Sequence, residues 1–296
     1  MGRPGKDLST VVTIGVFDGV HLGHQKLIKK TVELARRNGW VSTVLTFDPL
    51  PEEFFEHKTG IVLTLPEEKK RLLSRLGIEY VMILDFNQQM ALLSREEFVE
   101  KILLFLNPKA VVVGKDFRFG RGASGDVEFL REALREKAEV QIEELYEVEG
   151  KVVKSSLIRE LILKGMTIEA GKFLGRRYFV YGEVVQGKGL GRAIRYPTAN
   201  VRVNPRKLLP APGVYSGFAE IDLKKYVAAI FVPDSAAIDR TVEAHLLEFD
   251  GDLYGKQLLL EFHERVSNIE NFSRLEDLQF KIANDIRKVL TSIWLK

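Results

Sequence analysis

Cysteine is absent from this 296-residue chain. That excludes disulfides and a thiolate zinc site. A surplus of charge of one sign is missing too: 44 Lys and Arg stand against 41 Asp and Glu, a formal +3. So slight and dispersed a surplus gives no basis for nucleic-acid binding, although it suits anionic small substrates. No apolar run approaches a membrane span, and the opening MGRPGKDLST has no apolar signal core, so a reducing cytoplasm is expected. Internal repeats, low-complexity tracts and long flexible linkers are also lacking. What remains is 45% hydrophobic and 29% charged residues, enough to bury substantial cores. At this length two domains, or one large one, are expected.

The chain is organised around VVTIGVFDGVHLGHQ, residues 11–25. Val11–Phe17 is an unbroken apolar, β-branched run, which reads as a central strand covered on both faces. A short turn follows, and helical periodicity starts at Gly23. The junction carries H-x-G-H, with His21 and His24 three apart. Helix N-termini expose unpaired N–H groups and a partial positive charge, so they attract phosphate. Two imidazoles there could hold nucleotide phosphates, with Gly23 allowing close approach. A metal pair, or a helix start that merely carries histidines, are the other readings. Only five histidines occur in the chain, so chance placement of two in four residues is disfavoured.

The first half alternates strand and helix. Strands are expected at Trp40–Phe47, Tyr80–Phe86, Ala110–Gly114 and Val140–Leu145. Helices are expected at Gly23–Arg37, from Pro66 to Leu76, from a Ser94/Glu97 capping box to Leu106, and from Val127 to Lys137. Such alternation means right-handed β-α-β units on a parallel sheet, with ligands beyond the carboxyl ends of the strands. Three loops there carry chemistry-capable residues: Phe17–His24, Phe47–Pro49 and Lys115–Gly125. Ser155 and Ser156 opening a helix, with Arg159 one turn in, form a fourth anion-binding candidate, or an ordinary serine cap.

From about Arg176 the texture changes. Strand-like runs appear at Tyr178–Val185, Asn200–Val203, Gly213–Ile221, Tyr226–Val232, Val242–Phe249 and Gln257–Val266, and a helix at Leu275–Leu295. An antiparallel barrel closed by a terminal helix is expected. In GEVVQGKGLGRAIRYPTAN, Gly187, Gly189 and Gly191 alternate with Lys188 and Arg192, a loop suited to polyphosphate or the glycines of a hairpin turn. On an extended chain Thr198 and Asn200 project to one face, as hard oxygen ligands for a nucleotide-borne magnesium or as a polar strand start. Glu243 lies in an otherwise apolar strand. It is either an interior carboxylate serving as a general base or a solvent-facing position. Phe218, Tyr226, Phe231, Phe249 and Phe262 are expected in the barrel core, and His245 is expected to be structural.

Together these stretches resemble the bacterial bifunctional riboflavin kinase/FAD synthetase family over nearly the whole chain. GVFDGVHLGH is similar to its adenylyltransferase signature, VGKDFRFG to its second loop and SSLIR to its serine-rich helix start. GKGLGR and YPTAN are similar to its kinase flap and magnesium motif, and VEAHLLEFDGDLYGK to its catalytic strand. The resemblance implies a Rossmann-like nucleotidylyltransferase domain with a parallel sheet (1–170) and a riboflavin kinase β-barrel with a terminal helix (171–296). It implies ATP and Mg2+ as co-substrate and cofactor, and riboflavin, FMN and FAD as substrates and products. Partners would be small molecules alone, with no nucleic acid and no membrane, and the chain a monomer or weak oligomer. His21, His24 and Glu243 would be catalytic. Gly15, Phe17, Asp18, Gly19, Gly23, Ser155, Ser156 and Arg159 would surround ATP at the adenylyl site, with Asp116, Phe117 and Arg118 from the second loop. Gly187, Lys188, Gly189, Gly191, Arg192, Thr198 and Asn200 would bind ATP at the kinase site, Thr198 and Asn200 holding the metal. Arg265, Asn271 and Phe272 would contact flavin.

The chain departs from the family pattern at Lys154 and Leu157 in the helix-start motif, at Ala123 after the second loop, and over FVPDSAAIDR, residues 231–240. Two rival readings are a single-activity nucleotidyltransferase with a non-catalytic flavin-binding barrel, and a flavin carrier. The intact Thr198, Asn200 and Glu243 weigh against the first, and the paired histidines against the second.

Overall fold

The computed structural model describes residues 8–187, 196–270 and 272–294. The chain's contacts divide it into two compact units, residues 1–58 with 62–155, and 59–61 with 156–296.

The first unit is a five-stranded parallel sheet. Its strands are β1 (Thr10–Ile14), β2 (Val41–Asp48), β3 (Tyr80–Asp85), β4 (Pro108–Gly114) and β5 (Glu139–Glu143), in the order β3-β2-β1-β4-β5. β1 is central and buried at every position. Its alternate residues serve two cores: Val12 and Ile14 pack with Leu45, Val111 and Val113, while Val11 packs with Ala35 and Val112. That two-sided burial is why the run shows no polar alternation. Helix α1 (Leu22–Asn38) stops at Gly39, in the left-handed conformation at φ 68°. Helices α2 (Pro51–Glu56), α3 (Pro66–Arg75) and α4 (Gln88–Leu92) follow. The expected capping box is present: Ser94 Oγ accepts from Glu97 N and opens α5 (Arg95–Glu97). The chain beyond it is not one regular helix, but a π-turn (Phe98–Leu103) and then a 3-10 turn (Leu104–Leu106). Helix α6 (Val127–Ala133) and a small hairpin, β6 (Glu147–Val148) with β7 (Lys151–Val152), complete the unit.

Helices α7 (Ser155–Leu163) and α8 (Thr167–Leu174) come next. By its contacts the chain belongs to the second unit from Ser156, whereas the family resemblance sets a boundary at residue 171. The reason is packing: Ala170, Phe173 and Leu174 are buried, and Thr167 Oγ1 donates to the His263 carbonyl at 2.6 Å.

The second unit is a closed antiparallel barrel of β8 (Tyr178–Val185), β9 (Ala199–Val203), β10 (Gly213–Ile221), β11 (Lys224–Val232), β12 (Thr241–Leu246) and β13 (Gln257–Ser267). The order is β10-β11-β12-β9-β8-β13, with β13 pairing back onto β10. A short α9 (Ala236–Asp239) precedes β12, and α10 (Leu275–Trp294) ends the described chain. The interior aromatics are Tyr178, Tyr215 and Phe262, not the full expected set. Phe218, Tyr226, Phe231 and Phe249 are half-buried, on the outward phase of the strand alternation or beyond it.

Candidate functional site

The loop after β1 is tightly wound. Phe17 and Val20 adopt positive φ, 49° and 41°, and Gly19 lies at 81°. A β-branched residue there is strained, and such strain persists only where the surroundings impose it. Here they do. The buried Asp18 carboxylate accepts from Leu63 N at 2.9 Å, Thr64 N at 3.0 Å and the Thr64 hydroxyl at 3.3 Å. Gly19 N donates to Thr64 Oγ1 at 2.9 Å, and Ser155 Oγ donates to the Asp18 carbonyl at 2.9 Å.

That turn delivers His21 to the N-cap of α1, where its Nδ1 accepts from His24 N at 3.3 Å. An accepting Nδ1 puts the proton of a neutral His21 on Nε2. The two imidazoles stack with centroids 3.5 Å apart, and Phe17 meets His24 edge-on at 5.1 Å. A side chain at Gly23 would press on the His21 ring at 3.2 Å, so this position keeps the pair in place. Burial above all, then the neighbouring His21 and Lys69, holds His24 well below the ordinary imidazole value of 6.5. His24 Nδ1 is buried without a hydrogen-bond partner among the described residues. A neutral His24 beside a helix N-terminus offers an N–H donor to anionic oxygen.

The pair opens into a cavity of about 220 Å³ that Asp116, Glu143, Lys154 and Ser155 also line. Of the second loop, Asp116 lines the same cavity as the histidines. Phe117 instead stacks on Phe119 at 5.3 Å, and Arg118 pairs with Asp126 at 3.2 Å. Gly15 carries the end of the β1–β2 ladder, its N–H donating to the Leu45 carbonyl at 3.1 Å. Ser156 and Arg159, which follow Ser155 on α7, fall in the second unit.

In the barrel, antiparallel register sets Glu243 of β12 directly opposite Asn200 of β9. Thr198 Oγ1 donates to Glu243 Oε2 at 3.3 Å. The three residues expected to act together are thus brought together. Glu243 points neither into the barrel nor to open solvent: Val242, Ala244 and Leu246 fill the interior, and Glu243 lies on the opposite face of the strand. There it lines a cavity of about 310 Å³ walled by Phe231 and by Leu278, Ile282 and Ile286 of α10. Phe272 lines the same cavity. Arg265 does not: its guanidinium donates to the Pro212 carbonyl. Asn271, Lys188, Gly189, Gly191 and Arg192 lie outside the described residues. Gly187 is described, and a Cβ there would meet the Asn200 amide at 2.1 Å. His245 Nδ1 donates to the Pro197 carbonyl at 2.8 Å, tying down the segment that carries Thr198. A second cavity of about 330 Å³, lined by Thr198, Ala199, Phe249, Asp250 and Tyr254, adjoins on the other side of Thr198.

Two supports escaped the sequence reading. Thr64 and Lys69 hold the β1–α1 turn from behind, and Lys69 is nearly fully buried. The available signal was a lysine on the apolar stripe of α3, in line with Leu72, Leu73 and Leu76. Phe47, Phe54, Phe55 and Phe86 form an edge-to-face aromatic cluster, Phe55 being exposed.

A parallel sheet with histidines at its first helix start, followed by a barrel with a hydroxyl, an amide and a carboxylate beside a cavity, defines a class: a two-part transferase working on phosphate groups. The FAD synthetase family model matches residues 4–157 and the riboflavin kinase model residues 174–293. The chain belongs to the bifunctional riboflavin kinase/FMN adenylyltransferase family. It is 36% identical to the member from Pseudomonas fluorescens, over 93% of this chain and 90% of that one. It is 34% identical to the Escherichia coli K12 member, with the same coverage. A crystal structure from Streptococcus pneumoniae, described as a macrolide-efflux protein, superposes with a TM-score of 0.85 at 32% identity, over 99% of this chain and 95% of that one. No helix among the described residues of the present chain is long and apolar enough to cross a membrane.

Proposed function

We propose that this chain converts riboflavin to FMN and FMN to FAD, using one ATP at each step. The observation that carries the reading is the Thr198–Glu243–Asn200 group in one unit and the stacked His21–His24 pair in the other. The same chain bears both the FAD synthetase and the riboflavin kinase domains. We assign adenylyl transfer to the first unit and phosphorylation to the second.

In phosphorylation, the ribityl 5′-hydroxyl attacks the γ-phosphorus of ATP, its proton passes to Glu243, and ADP leaves. The apolar wall of the cavity, with Phe231 and Phe272, suits a flavin ring. Thr198 and Asn200 supply a hydroxyl and an amide, hard oxygen donors that fit Mg2+. Among the described residues no cluster of three His, Cys, Asp or Glu side chains offers a self-sufficient metal cage, so phosphate oxygens and water would complete the shell. The metal would neutralise charge on the phosphates.

In adenylylation, a phosphate oxygen of FMN attacks the α-phosphorus of ATP and pyrophosphate leaves. His21 and His24 donate to the phosphate oxygens as charge builds, with no covalent intermediate. Gly15, Phe17, Asp18, Gly19 and Gly23 shape the turn, and Asp116, Lys154 and Ser155 lie on the cavity wall. We place the enzyme in the cytoplasm.

The test is a turnover assay with riboflavin, ATP and Mg2+ that resolves FMN, FAD, ADP and pyrophosphate. FMN should appear first, with one ADP per FMN, then FAD with one pyrophosphate. FAD from supplied FMN with no FMN from riboflavin would leave a single-activity nucleotidyltransferase and sink the bifunctional reading.

A further inference from the structure

Behind the β1–α1 turn sits a lysine that the proposed chemistry does not touch. Lys69 of α3 is 2% exposed. Its Nζ donates to the Val16 carbonyl at 2.7 Å and to Thr46 Oγ1 at 3.2 Å. The Thr46 hydroxyl in turn donates to the same carbonyl at 2.9 Å. An ammonium is costly to bury, and leucine or methionine would fill the apolar stripe of α3 without that cost. The position needs the charge or the donors.

We infer that Lys69 is a positioning residue for adenylyl transfer, fixing the Val16 carbonyl so that the strained turn presents His21 and His24, and setting a positive charge behind them. The inference rests on the assignment of adenylyl transfer to the histidine pair.

The geometry supports it from both ends. Val16 is the residue before Phe17, where the backbone enters the left-handed region, so its carbonyl orientation decides where the turn begins. Two donors on one carbonyl hold it more firmly than one would. Lys69 also acts on His24 itself, adding to the burial and the His21 ring that keep this imidazole neutral. The other charged groups around the pair are committed or lie on the cavity side. Asp18 is engaged by Leu63 and Thr64, and Glu68 accepts from Leu65 N. Asp116, Glu143, Glu144 and Lys154 line the open cavity, with Glu143 paired to Lys26 and Glu144 to Lys115. Lys69 is therefore the cation on the interior side of the pair among the described residues. A neutral imidazole next to a fixed cation still favours an arriving phosphate, without itself binding a proton that would have to leave.

The test uses the full chain with Lys69→Met, Lys69→Arg and Thr46→Val. FAD formation from supplied FMN is measured against pH, FMN formation from riboflavin serves as the internal control, and the five histidines are followed by NMR titration. Lys69→Met should lower kcat for FAD formation by roughly 10²-fold, the usual cost of a slight misplacement of reacting groups, with a smaller change in KM for ATP. The His24 titration and the acid limb of the rate profile should move upward together. Lys69→Arg, which keeps charge and donors, should recover most of the rate and leave His24 low. Thr46→Val should lie between. FMN formation should be unchanged throughout. Wild-type FAD formation by Lys69→Met, with His24 unmoved, would overturn the inference. So would equal losses in the Met and Arg variants with no movement of His24 in either, the behaviour of a packing defect. If His24→Ala itself forms FAD normally, the underlying site assignment fails instead.

Discussion

At the scale of the residue, Glu243 and His24 make contrasting predictions. Glu243→Gln keeps the shape and the contact with Thr198 but cannot take a proton. Its kcat for FMN formation should fall by about 10²–10⁴, with riboflavin still bound and FAD formation from supplied FMN unaffected. Wild-type turnover would remove Glu243 as the base. Gly187→Ala places a methyl against the Asn200 amide, which can swing aside. Stability should hardly change, while the Mg2+ concentration needed for half-maximal kinase rate should rise; an unchanged metal dependence would dissociate Asn200 from the metal. For His24 the argument is linkage. The folded imidazole resists a proton that the unfolded one accepts near 6.5. The unfolded state thus binds more protons below that pH, and stability falls. Unfolding of the first unit, followed by Trp40 fluorescence in a Trp294→Phe background, should show full stability above 6.5 and a decline below it. His24→Gln should flatten that decline.

At the scale of the element, the periodic signals were the legible ones. Tyr178–Val185 and Gly213–Ile221 form strands with the bounds their patterns predict, and the two-sided run at Val11 is the central strand. The capping box at Ser94 was also legible, because cap chemistry is local. The π-turn at Phe98–Leu103 was not, since its apolar spacing reads as ordinary helix and its widening answers to packing. The outward-facing barrel aromatics were misassigned for a related reason: composition counts apolar residues but does not say which strand face another element covers. Glu243 and Phe231 face α10, and only the tertiary fold supplies that cover. The histidine pair was visible as a motif, whereas its supports at Leu63, Thr64 and Lys69 lie some 45 residues along the chain from Asp18. Those supports yield a further prediction. Asp18→Asn replaces an acceptor for three groups by an amide with one acceptor oxygen, leaving a buried N–H short of a partner. The first unit should lose roughly 1–3 kcal/mol, read from denaturant midpoints, and FAD formation should drop while FMN formation does not.

At the scale of the whole molecule, the chain's contacts gather into two bodies, each with its own core. A fragment of residues 156–296 retains α7 beyond its first residue and all of α8, hence the buried Ile158, Ile162 and Phe173 and the Thr167–His263 bond. It should melt cooperatively and phosphorylate riboflavin. A fragment of residues 171–296 starts within α8 and should melt at a lower temperature. If both melt alike, α7 and the start of α8 contribute nothing to the barrel's stability. The same division has a consequence in genetics. A lesion in one body leaves the other able to work, so two defective alleles need not be equivalent. Cells whose copies encode only His24→Ala and Glu243→Gln proteins should grow without added flavin, one product making FMN and the other consuming it. Cells carrying either allele alone should not.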